Sequence, residues 1–593
     1  MKRRFLINTE KWIYPLLAVL TVAVFSPVFQ ADFVNYDDDF YYTANTQVRA
    51  PLSFQTVRWA FTTVYFNNWH PLTWLSHAVD HHFFGLNPRG PHLVNLALHV
   101  LNSFLVFGLF RTAAAGKART TAAAWLLAAL FAVHPLHVES VAWISERKDL
   151  LGGFFGLLAV RVYLAYVRRP SPGAYAGVAA CMLLSLMSKS MLVTLPLLLL
   201  FMDYWPLGRK KGWLPVLEKL PLLILSLCFS AVAMSLKTEQ TESAWNRLLY
   251  VPIAYVRYLH KTFWPVDLAV YYPFPSSPIS PYWLFLCMGG LAAVTGLAFA
   301  LRSRHPYMLV GWLWFATALA PASGAIQIGG HCMADRYMYL PLIGILMMTA
   351  WPLAHAPRRA VALGTGAAVV FVCAVLGLAQ ARTWRDSVSL WEQAIRAAGS
   401  NGRAEYNLGN AWLARGEWDK AAACYARALA LDETDLDAIT NLGIVAVRKE
   451  QFDDAERWFR RSLEINPEDP RANQEMDRLA KLRVNRGIAL AEQGRFDEAD
   501  GELRAALALR PHSADAHFNL ANVLLRKGDF QAAAGEFAAV LAINPDDAGA
   551  HYALGLALVR LGRAPEALAH FHEALRLRPD DAEILRQIKA LQP

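Results

Sequence analysis

Apolar runs long enough to cross a membrane follow one another through residues 1–380, whereas residues 381–593 show short apolar stripes between polar positions. A bilayer core about 30 Å thick takes about 20 apolar residues per helix. This requirement predicts eleven transmembrane helices, in the runs 11–29, 91–110, 121–137, 150–167, 173–187, 190–206, 214–235, 281–301, 306–322, 338–354 and 360–380. The first run follows a basic amino terminus and has no small-residue cleavage site behind it, so we predict an uncleaved span.

The Lys and Arg residues of the short loops predict the orientation of these spans. They form six clusters: Lys2/Arg3/Arg4, Arg111/Lys117/Arg119, Arg168/Arg169, Arg209/Lys210/Lys211, Arg302/Arg304 and Arg358/Arg359. With eleven spans and a cytoplasmic amino terminus, every cluster falls on the cytoplasmic side, and residues 381–593 emerge on the other side. Residues 244–263 are apolar enough to span, but a twelfth span would break this agreement. They also carry Arg247, Arg257 and Lys261, so we predict a helix lying at the outer interface.

The carboxy-terminal part repeats with a period of 34 residues. Asn-Leu-Gly at 407–409 recurs at 441–443, and related triplets return at 485–487, 519–521 and 553–555. Twelve positions after each triplet stands an alanine, and a large residue follows four positions later: Ala421, Ala455, Ala499, Ala533 and Ala567, then Tyr425, Phe459, Leu503, Phe537 and Phe571. This pattern matches the tetratricopeptide repeat, in which two antiparallel helices cross at small residues.

We predict repeats at 402–435, 436–469, 480–513, 514–547 and 548–581. Stacked helix pairs form an α-solenoid whose concave groove binds an extended peptide or a partner protein. A spacer or an oligomerisation surface is the alternative. The predicted fold class is therefore all-α, with a polytopic membrane domain at 1–380 and a repeat domain at 381–593.

Composition separates the same two parts. Over the whole chain 55% of residues are hydrophobic and 18% are charged. Residues 1–380 hold 29 Lys/Arg against 15 Asp/Glu, and residues 381–593 hold 28 against 33. The two parts therefore suit different solvents, which excludes a single soluble domain and an intrinsically disordered chain. Nucleic acid is not an expected partner, because the positive residues lie between hydrophobic spans.

Three adjacent carboxylates follow the first span, in the sequence Phe33-Val34-Asn35-Tyr36-Asp37-Asp38-Asp39. Crowded carboxylates repel one another, so at least one is expected to have a raised pKa. A carboxylate here can act as a general base on a hydroxyl group, or it can ligate a divalent metal. A solvated acidic loop explains the pattern equally well, and the residues alone leave this choice open.

Basic residues recur beside the outward loops, where the phosphate of a lipid would lie. Guanidinium and ammonium groups suit a phosphate leaving group. Our candidates for binding it are Arg147, Lys148 and Lys189, followed by Arg257, Lys261 and Arg336. Lys189 is the hardest to dismiss, because its loop between two apolar spans is too short to be merely solvated. For Arg147 and Lys148 the alternative is a snorkelling pair, and for Asp335 and Arg336 it is a local ion pair.

The histidines and cysteines show no metal-binding spacing. His70, His134, His137 and His331 lack an HExxH-like arrangement, and the six cysteines form no CxxC motif. We therefore expect neither a metal ion nor another cofactor.

The chain resembles the transmembrane and tetratricopeptide-repeat (TMTC-like) O-mannosyltransferases, within the GT-C glycosyltransferases. The resemblance rests on the acidic pair after the first span, the external repeats and five sequence blocks: Asn35-Tyr36-Asp37-Asp38, Trp69-His70-Pro71-Leu72, His134-Pro135-Leu136-His137-Val138-Glu139-Ser140-Val141, Glu146-Arg147-Lys148-Asp149 and Ala334-Asp335-Arg336-Tyr337. It covers nearly the whole chain.

This resemblance implies transfer of a mannose-like hexose from a polyprenyl-phosphate donor to a hydroxyl acceptor at the outer face, with a protein as the expected acceptor. The catalytic base then maps to Asp37 or Asp38, with Glu139 as the next choice. The matching blocks place substrate contacts at Asn35, Tyr36, His70, His137 and Asp335. A monophosphate leaving group can be neutralised by Arg and Lys without a metal.

The Ala/Arg-rich repeats and short loops favour a bacterial inner membrane with periplasmic repeats and an undecaprenyl-phosphate donor. In a eukaryote the outer face would be the endoplasmic reticulum lumen and the lipid would be dolichol. The alternative function is a non-catalytic membrane scaffold whose repeats recruit periplasmic proteins. A transporter is a weaker third reading, because the membrane part shows no repeated half with broken helices.

Overall fold

A computed structural model of the chain describes residues 12–113, 118–209, 212–236, 243–275, 278–326 and 329–592. Among these residues the protein is helical apart from one two-stranded sheet, which confirms the predicted all-α class. Lys2, Arg3, Arg4, Lys117, Lys210 and Lys211 of the predicted cytoplasmic clusters lie outside the described residues. The chain divides into two compact units, Met1–Ala411 and Trp412–Pro593.

The α-helices of the first unit run through its whole length. Their bounds are Ile13–Val24, Phe54–Thr62, Pro71–Phe84, Arg89–Ala113, Ala118–Val133, Val138–Ala142, Arg147–Arg168, Pro172–Ser188, Leu195–Tyr204, Leu214–Leu217, Leu220–Ser235, Ala244–Phe263, Pro281–Ala300, Pro306–Leu319, Pro341–His355, Arg359–Arg382, Ser387–Ala398 and Gly402–Ala414, the last of which crosses into the second unit.

Short elements join several of these helices. Six are 3₁₀ turns and one, Asp39–Thr43, is a π-helical turn; the 3₁₀ turns are Ser26–Gln30, Pro135–His137, Ile144–Glu146, Ser190–Thr194, Ala320–Ala322 and Asp335–Met338. Strands Tyr272–Pro273 and His331–Met333 pair antiparallel, with Tyr272 opposite Met333. The loop around 270 is thereby tied to the loop that carries Asp335.

Several apolar helices identify a multi-pass membrane protein. Five helices among the described residues are long and apolar enough to cross a bilayer: Arg89–Thr112, Ile144–Arg168, Leu214–Ser235, Pro281–Ala300 and Ala360–Arg382. A pair bent by 53°, Thr121–Val133 with Pro135–Ala142, makes a sixth if it counts as one span. The remaining predicted spans lie on shorter helices, and the count of eleven stays a prediction.

The long helices differ in how much protein surrounds them. About half of the apolar window is buried in Arg89–Thr112 and Ile144–Arg168, against 6% in Pro281–Ala300. The first two helices are therefore central and the last is peripheral. Helix Ala244–Phe263 has the bounds predicted for the interfacial helix, and it buries Tyr250, Ala254 and Tyr258 on one face. Its position relative to the membrane stays a prediction.

The second unit is a series of antiparallel helix pairs, as the repeat pattern predicts. Its helices are Trp418–Leu431, Leu436–Arg448, Phe452–Ile465, Pro470–Glu492, Phe496–Leu509, Ala514–Lys527, Phe530–Ile543, Ala548–Arg560, Ala564–Leu577 and Ala582–Leu591. The ten alanines and large residues that mark the period are completely buried.

The small residues of the repeat allow its two helices to approach closely. A Cβ atom added to Gly443 would lie 2.3 Å from the Phe459 ring, and one added to Gly555 would lie 2.4 Å from the Phe571 ring. Each glycine thus faces the large residue sixteen positions later. Glycine is required there because a side chain would occupy the space of the ring.

Candidate active site

Asp38 lies in the loop after the first helix and is held by hydrogen bonds from two directions. Its Oδ2 accepts a hydrogen bond from the Val34 amide at 3.0 Å. Its Oδ1 accepts from the Ser145 amide at 3.0 Å and from the Ser145 hydroxyl at 2.5 Å. Burial raises the pKa of Asp38 to about 7, although these hydrogen bonds lower it. Both of its oxygens are therefore engaged within the protein.

Asp37 has a different environment from its neighbour. Its backbone adopts a left-handed φ of 63°, which is uncommon for a residue with a Cβ atom. Its side chain is partly exposed, and the described residues give its carboxylate no hydrogen bond. Burial raises the pKa of Asp37, while the positive charges of Lys148 and Arg336 lower it. Asp37 thus presents an uncommitted carboxylate close to two cations.

Asp39, the third acid, is exposed and begins the π-helical turn Asp39–Thr43. Its Oδ1 accepts a hydrogen bond from the Phe40 amide at 2.9 Å. The three adjacent acids therefore have three different environments.

Six charged side chains form a buried ionic cluster next to this loop: Glu139, Glu146, Asp149, Lys148, Lys189 and Arg336. Glu146 Oε1 lies 3.0 Å from Lys148 Nζ and 3.3 Å from Arg336 Nε. Glu146 Oε2 lies 2.9 Å from Lys189 Nζ, which also lies 2.7 Å from Asp149 Oδ1. Glu146 is therefore the centre of the ionic cluster.

Glu139 completes the ionic cluster through Arg336. Its Oε2 accepts a hydrogen bond from the Arg336 amide at 2.9 Å, and its Oε1 pairs with the guanidinium. Three acids and three bases balance one another in a buried setting, where unpaired charges would be costly.

Aromatic rings surround the cations of the ionic cluster. Lys148 Nζ lies 4.3 Å from the centre of the Tyr41 ring. The Arg336 guanidinium lies 5.2 Å from the Trp143 ring, and Tyr36 stacks on that same ring at 4.8 Å. Such rings hold cations by their quadrupole and also suit the apolar face of a sugar. A small cavity of about 30 Å³ opens among Lys148, Lys189 and Arg336.

Asn35, a predicted substrate contact, connects the acidic loop to the helices after the last span. Its Oδ1 accepts a hydrogen bond from Trp391 Nε1 at 2.8 Å, and its Nδ2 donates to the Asn407 carbonyl at 2.8 Å. Its amide donates to the Ser387 hydroxyl at 2.9 Å. The side chain is thus used within the protein.

Arg147, a predicted phosphate ligand, is placed apart from the ionic cluster. Its guanidinium donates to Asn95 Oδ1 at 2.5 Å, to Ser76 Oγ at 2.9 Å and to the Pro91 carbonyl at 2.7 Å. It also lies 2.6 Å from Asp80 Oδ2 and is completely buried. Lys148, one position later on the helix, faces the ionic cluster instead.

The remaining predicted cations lie beside the paired strands. Arg257 Nη1 donates to the Tyr250 hydroxyl at 2.6 Å. Lys261 Nζ donates to the carbonyls of Val266 and Asp267 at 2.7 and 2.8 Å. Asp335 is buried and accepts hydrogen bonds from the Tyr272 hydroxyl at 3.1 Å. Burial raises the pKa of Asp335.

The two predicted histidines are buried. His70 precedes helix Pro71–Phe84, and its carbonyl accepts a hydrogen bond from the Trp74 amide at 3.0 Å. His137 Nδ1 lies 2.7 Å from the Phe131 carbonyl, and its ring packs 4.8 Å from that of Tyr339. His137 is therefore part of the packed interior. Among the residues that the structure describes, no group of three or more His, Cys, Asp or Glu is arranged to hold a metal ion.

Glu146 and Asp149 were not among the predicted site residues, although they belong to the ionic cluster. The signal in the sequence was the spacing of three residues between Glu146 and Asp149. Residues three apart lie on the same side of a helix, and Lys148 stands between them in the sequence.

Comparison with protein families identifies the repeats. Models described as "Tetratricopeptide repeat" match residues 402–435, 436–466, 484–548 and 520–582. The crystal structure of YrrB, described as a TPR protein with an unusual peptide-binding site, is 25% identical and covers 34% of this chain and 99% of its own, with a TM-score of 0.21.

Relatives over most of the chain share one description, protein O-mannosyl-transferase. Tmtc3 of Drosophila melanogaster is 23% identical over 563 residues, covering 77% of this chain and 59% of its own length. Tmtc1 of Drosophila melanogaster is 24% identical and covers 76% and 55%. TMTC1 of Homo sapiens is 25% identical and covers 72% and 56%. The chain spans a little over half the length of these relatives.

Proposed function

The chain is TMTC-like, and from this premise we propose that its first unit is a glycosyltransferase. It transfers a mannose-like hexose from a polyprenyl-phosphate donor to a hydroxyl group of a protein on the extracytoplasmic face of the membrane. The repeats bind the acceptor or a partner protein in their groove. The names of the relatives support the transfer of a sugar. The basic residues support a lipid-linked donor, because they can bind its phosphate.

The observation that carries the proposal is the contrast between Asp37 and Asp38. A general base needs a carboxylate that can accept a proton from a hydroxyl within hydrogen-bond reach. Both carboxylate oxygens of Asp38 accept hydrogen bonds, from Val34 and Ser145. The carboxylate of Asp37 is partly exposed and accepts no hydrogen bond from the described residues. We therefore assign Asp37 as the base and Asp38 as the residue that positions its loop. Glu139 is paired with Arg336 and is a weaker candidate.

The reaction follows from these roles. Asp37 takes the proton of the acceptor hydroxyl as its oxygen attacks the anomeric carbon of the sugar. The bond from that carbon to the phosphate oxygen breaks, and the lipid monophosphate leaves with one more negative charge. Lys148, Lys189 and Arg336 line the cavity where this charge develops. Cations fixed before the reaction stabilise such a charge at little further cost.

Donor binding has to rearrange the ionic cluster. Lys148 and Lys189 are already paired with Glu146 and Asp149, so a donor phosphate has to compete with these carboxylates. We propose that the donor phosphate takes Lys148 and Lys189 from their carboxylate partners. Because three cations can neutralise a monophosphate, we propose that no metal ion is required.

The remaining roles are proposed with the same scheme. Arg257 and Lys261 lie on helix Ala244–Phe263, and Asp335 lies next to Arg336 beside the paired strands. They are assigned to the sugar or to the outer edge of the phosphate site. The cytoplasmic amino terminus, the periplasmic repeats and a bacterial inner membrane are part of the proposal, and the undecaprenyl lipid follows from them.

The test is a transfer assay on protein reconstituted in vesicles with undecaprenyl-phosphate mannose labelled in the sugar. Label should pass to peptides that contain serine and threonine in the wild type and in Asp39→Asn, whose carboxylate is exposed. Asp37→Asn should lower the rate about a hundredfold to ten-thousandfold and keep donor binding. Excess EDTA should leave the wild-type rate unchanged.

Two outcomes would contradict the proposal. Full activity of Asp37→Asn would remove the base assignment, and loss of activity in EDTA that Mn²⁺ restores would make the acidic loop a metal site. If wild-type protein transfers no sugar yet captures periplasmic proteins through its repeats, the scaffold alternative holds.

A further inference from the structure

A second cavity, of about 600 Å³, lies at the opposite end of the membrane helices from the ionic cluster. Helix Arg147–Arg168 connects the two places. Arg147 begins this helix beside the ionic cluster, and Arg161 and Arg168 line the second cavity. With a rise of 1.5 Å per residue, Arg161 lies about 21 Å along the helix from Arg147 and Arg168 about 31 Å. The two arginines therefore lie at the far end of this helix, although the apolar part of the second cavity reaches Phe154, next to Gly153 of the first cavity.

The lining of the second cavity comes from aligned faces of neighbouring helices. Phe154, Arg161 and Arg168 each contribute to it and stand seven residues apart, which places them on one face of their helix. Leu101 and Arg111 line the cavity from helix Arg89–Ala113. The lining residues of this helix recur every three or four positions, so they also lie on one face. The cavity is thus a groove parallel to the helices.

Apolar and basic side chains are separated along this groove. Leu101 and Phe154 line its deeper part, toward the middle of their helices, and Phe104 continues that apolar surface. Arg111 and Arg168 lie at the last turns of the same two helices. The groove therefore has an apolar floor and a basic mouth, the distribution that a phospholipid molecule itself has.

The described part of the chain contributes no Asp or Glu to the lining of the groove. Neither Arg161 nor Arg168 forms an ion pair with a described carboxylate, and Arg168 uses one nitrogen to donate to the Thr112 carbonyl at 2.8 Å. Arg161 is only partly exposed, seven residues inside the helix end. A charged residue at that depth is costly unless a partner stabilises it.

We propose that this groove binds an anionic phospholipid from the leaflet opposite the active site. The phosphate is held by Arg111, Arg161 and Arg168, and the acyl chains lie against Leu101, Phe104 and Phe154. Basic pockets between transmembrane helices bind anionic lipid head groups in this way. The head-group site is separate from the proposed sugar transfer, because Arg161 and Arg168 lie about 21 and 31 Å along the helix from its start beside the ionic cluster.

Arginines that merely snorkel toward water would not show this arrangement. A snorkelling side chain needs no cavity and selects no particular lipid. Here three arginines from two helices converge on one groove, and its volume of about 600 Å³ lies within the range of ligand pockets. A saturable site for one lipid molecule is the distinguishing property.

The experiment measures lipid binding to the purified full-length chain by native mass spectrometry after delipidation in detergent. The probes are dioleoylphosphatidylglycerol, dioleoylglycerol with the same chains and no phosphate, and glycerol phosphate with no chains. We expect one saturable equivalent of the phospholipid and no comparable binding of the other two probes. Equal binding of dioleoylglycerol would overturn the role of the arginines, and binding of glycerol phosphate alone would overturn the role of the lipid chains.

Variants locate the bound lipid. Arg161→Gln should weaken phospholipid binding about tenfold, and Arg111→Gln/Arg161→Gln/Arg168→Gln should weaken it further. The matched control is Arg302→Gln/Arg304→Gln/Arg358→Gln, which removes three exposed arginines outside the groove and should bind as the wild type does.

A second variant keeps every charge and fills the groove. Gly108 lines the cavity, and a Cβ atom there would meet only the Tyr14 hydroxyl, at 4.0 Å. Gly108→Phe should therefore fold, as its thermal unfolding would verify, and lose the saturable phospholipid. Unchanged binding in both Arg161→Gln and Gly108→Phe would overturn the proposal. If the triple arginine variant fails to fold, Gly108→Phe decides alone.

Discussion

Asp38 and Ser145 join the acidic loop to the start of helix Arg147–Arg168, through hydrogen bonds of 3.0 Å from the Ser145 amide and 2.5 Å from its hydroxyl. The same carboxylate also caps the Val34 amide of its own loop. The position of Asp37, one residue earlier, is therefore set by contacts that Asp37 does not make. This division of work between two adjacent acids leads to two different predictions.

The stability of the protein should depend on pH through Asp38. Burial raises the pKa of Asp38 from 3.8 to about 7, so between these values the folded state binds more protons than the unfolded state. The stabilisation that Asp38 gives to the folded state is present below about pH 4 and is lost as the pH rises to about 7. The loss is about 4 kcal/mol at most. Thermal unfolding of wild type in detergent should show this slope, and Asp38→Asn should flatten it.

Asp39→Asn is the control for this measurement, because Asp39 is exposed and should leave the slope unchanged. Parallel stability curves for wild type and Asp38→Asn would show that Asp38 does not titrate in this range.

The rate of sugar transfer should depend on pH through Asp37. A general base acts when it is deprotonated, so activity should rise with pH through the pKa of Asp37. Burial raises this pKa and the charge of Lys148 lowers it. Lys148→Met should therefore move the acid limb of the plot of kcat against pH to higher pH. It should also weaken the binding of the donor. A limb that stays in place, or moves to lower pH, would contradict the assignment.

Arg147 and Lys189 should have different effects, although both were predicted to bind phosphate. Lys189→Met removes a cation that lines the active-site cavity, and donor affinity should fall about tenfold to a hundredfold. Arg147→Met leaves Asp80 buried without its partner, and the free energy of unfolding should fall by about 3–5 kcal/mol. Lys189→Met also deprives Asp149 of its partner, so both variants should lose stability. The donor affinity of the folded fraction, titrated on both variants, separates the two roles. Equal loss of donor affinity in the folded fraction of both would contradict this.

The repeats should respond in opposite directions to two glycine substitutions. Gly443→Ala places a methyl group inside the space of the Phe459 ring, 2.3 Å away, and should cost about 1–3 kcal/mol. Gly535→Ala meets no atom within 4 Å in the middle of helix Phe530–Ile543. It should stabilise by about 0.5–1 kcal/mol, because alanine loses less conformational entropy than glycine. Denaturant unfolding measures the free energy of unfolding of both variants. A more stable Gly443→Ala than Gly535→Ala would contradict this prediction.

The orientation of the chain has a direct test. The basic clusters predict extracytoplasmic repeats, so a reporter that is active only in the cytoplasm should be silent when fused after Pro593. A reporter inserted after Arg169, in the predicted cytoplasmic loop, is the positive control. An active reporter at Pro593 would mean that the number of spans is even.

The helix pairs of the repeats could be predicted from sequence because their signal is local and periodic. The predicted repeat start at 480 nevertheless falls inside helix Pro470–Glu492. Ala421 and Tyr425, like their equivalents, are buried as the period predicts. Helix Ala244–Phe263 likewise has its predicted bounds, since its charges interrupt an apolar run at a fixed place. The number of spans is harder to predict, because several apolar runs form helices shorter than a bilayer needs.

The site could be predicted only in part. Residues from four distant segments meet there, and the chain gives no signal of which side chain faces which. Arg147 and Lys148 look equivalent in sequence, but neighbouring positions on a helix point about 100° apart, and only Lys148 reaches Glu146. Asp37 and Asp38 look equivalent too, until Ser145 from a segment more than a hundred residues away selects one of them.

The contacts of Asn35 determine where the membrane unit of such a chain could be recombined with a different array of repeats. Ser387, Trp391 and Asn407 all bind this one residue, and the compact first unit extends to Ala411. A recombination joint at 380 would separate the acidic loop from the indole and hydroxyl groups that it fits. A joint after Ala414, where helix Gly402–Ala414 ends, would carry them along, so arrays of repeats with different recognition surfaces could be interchanged on one membrane unit without loss of the acidic loop.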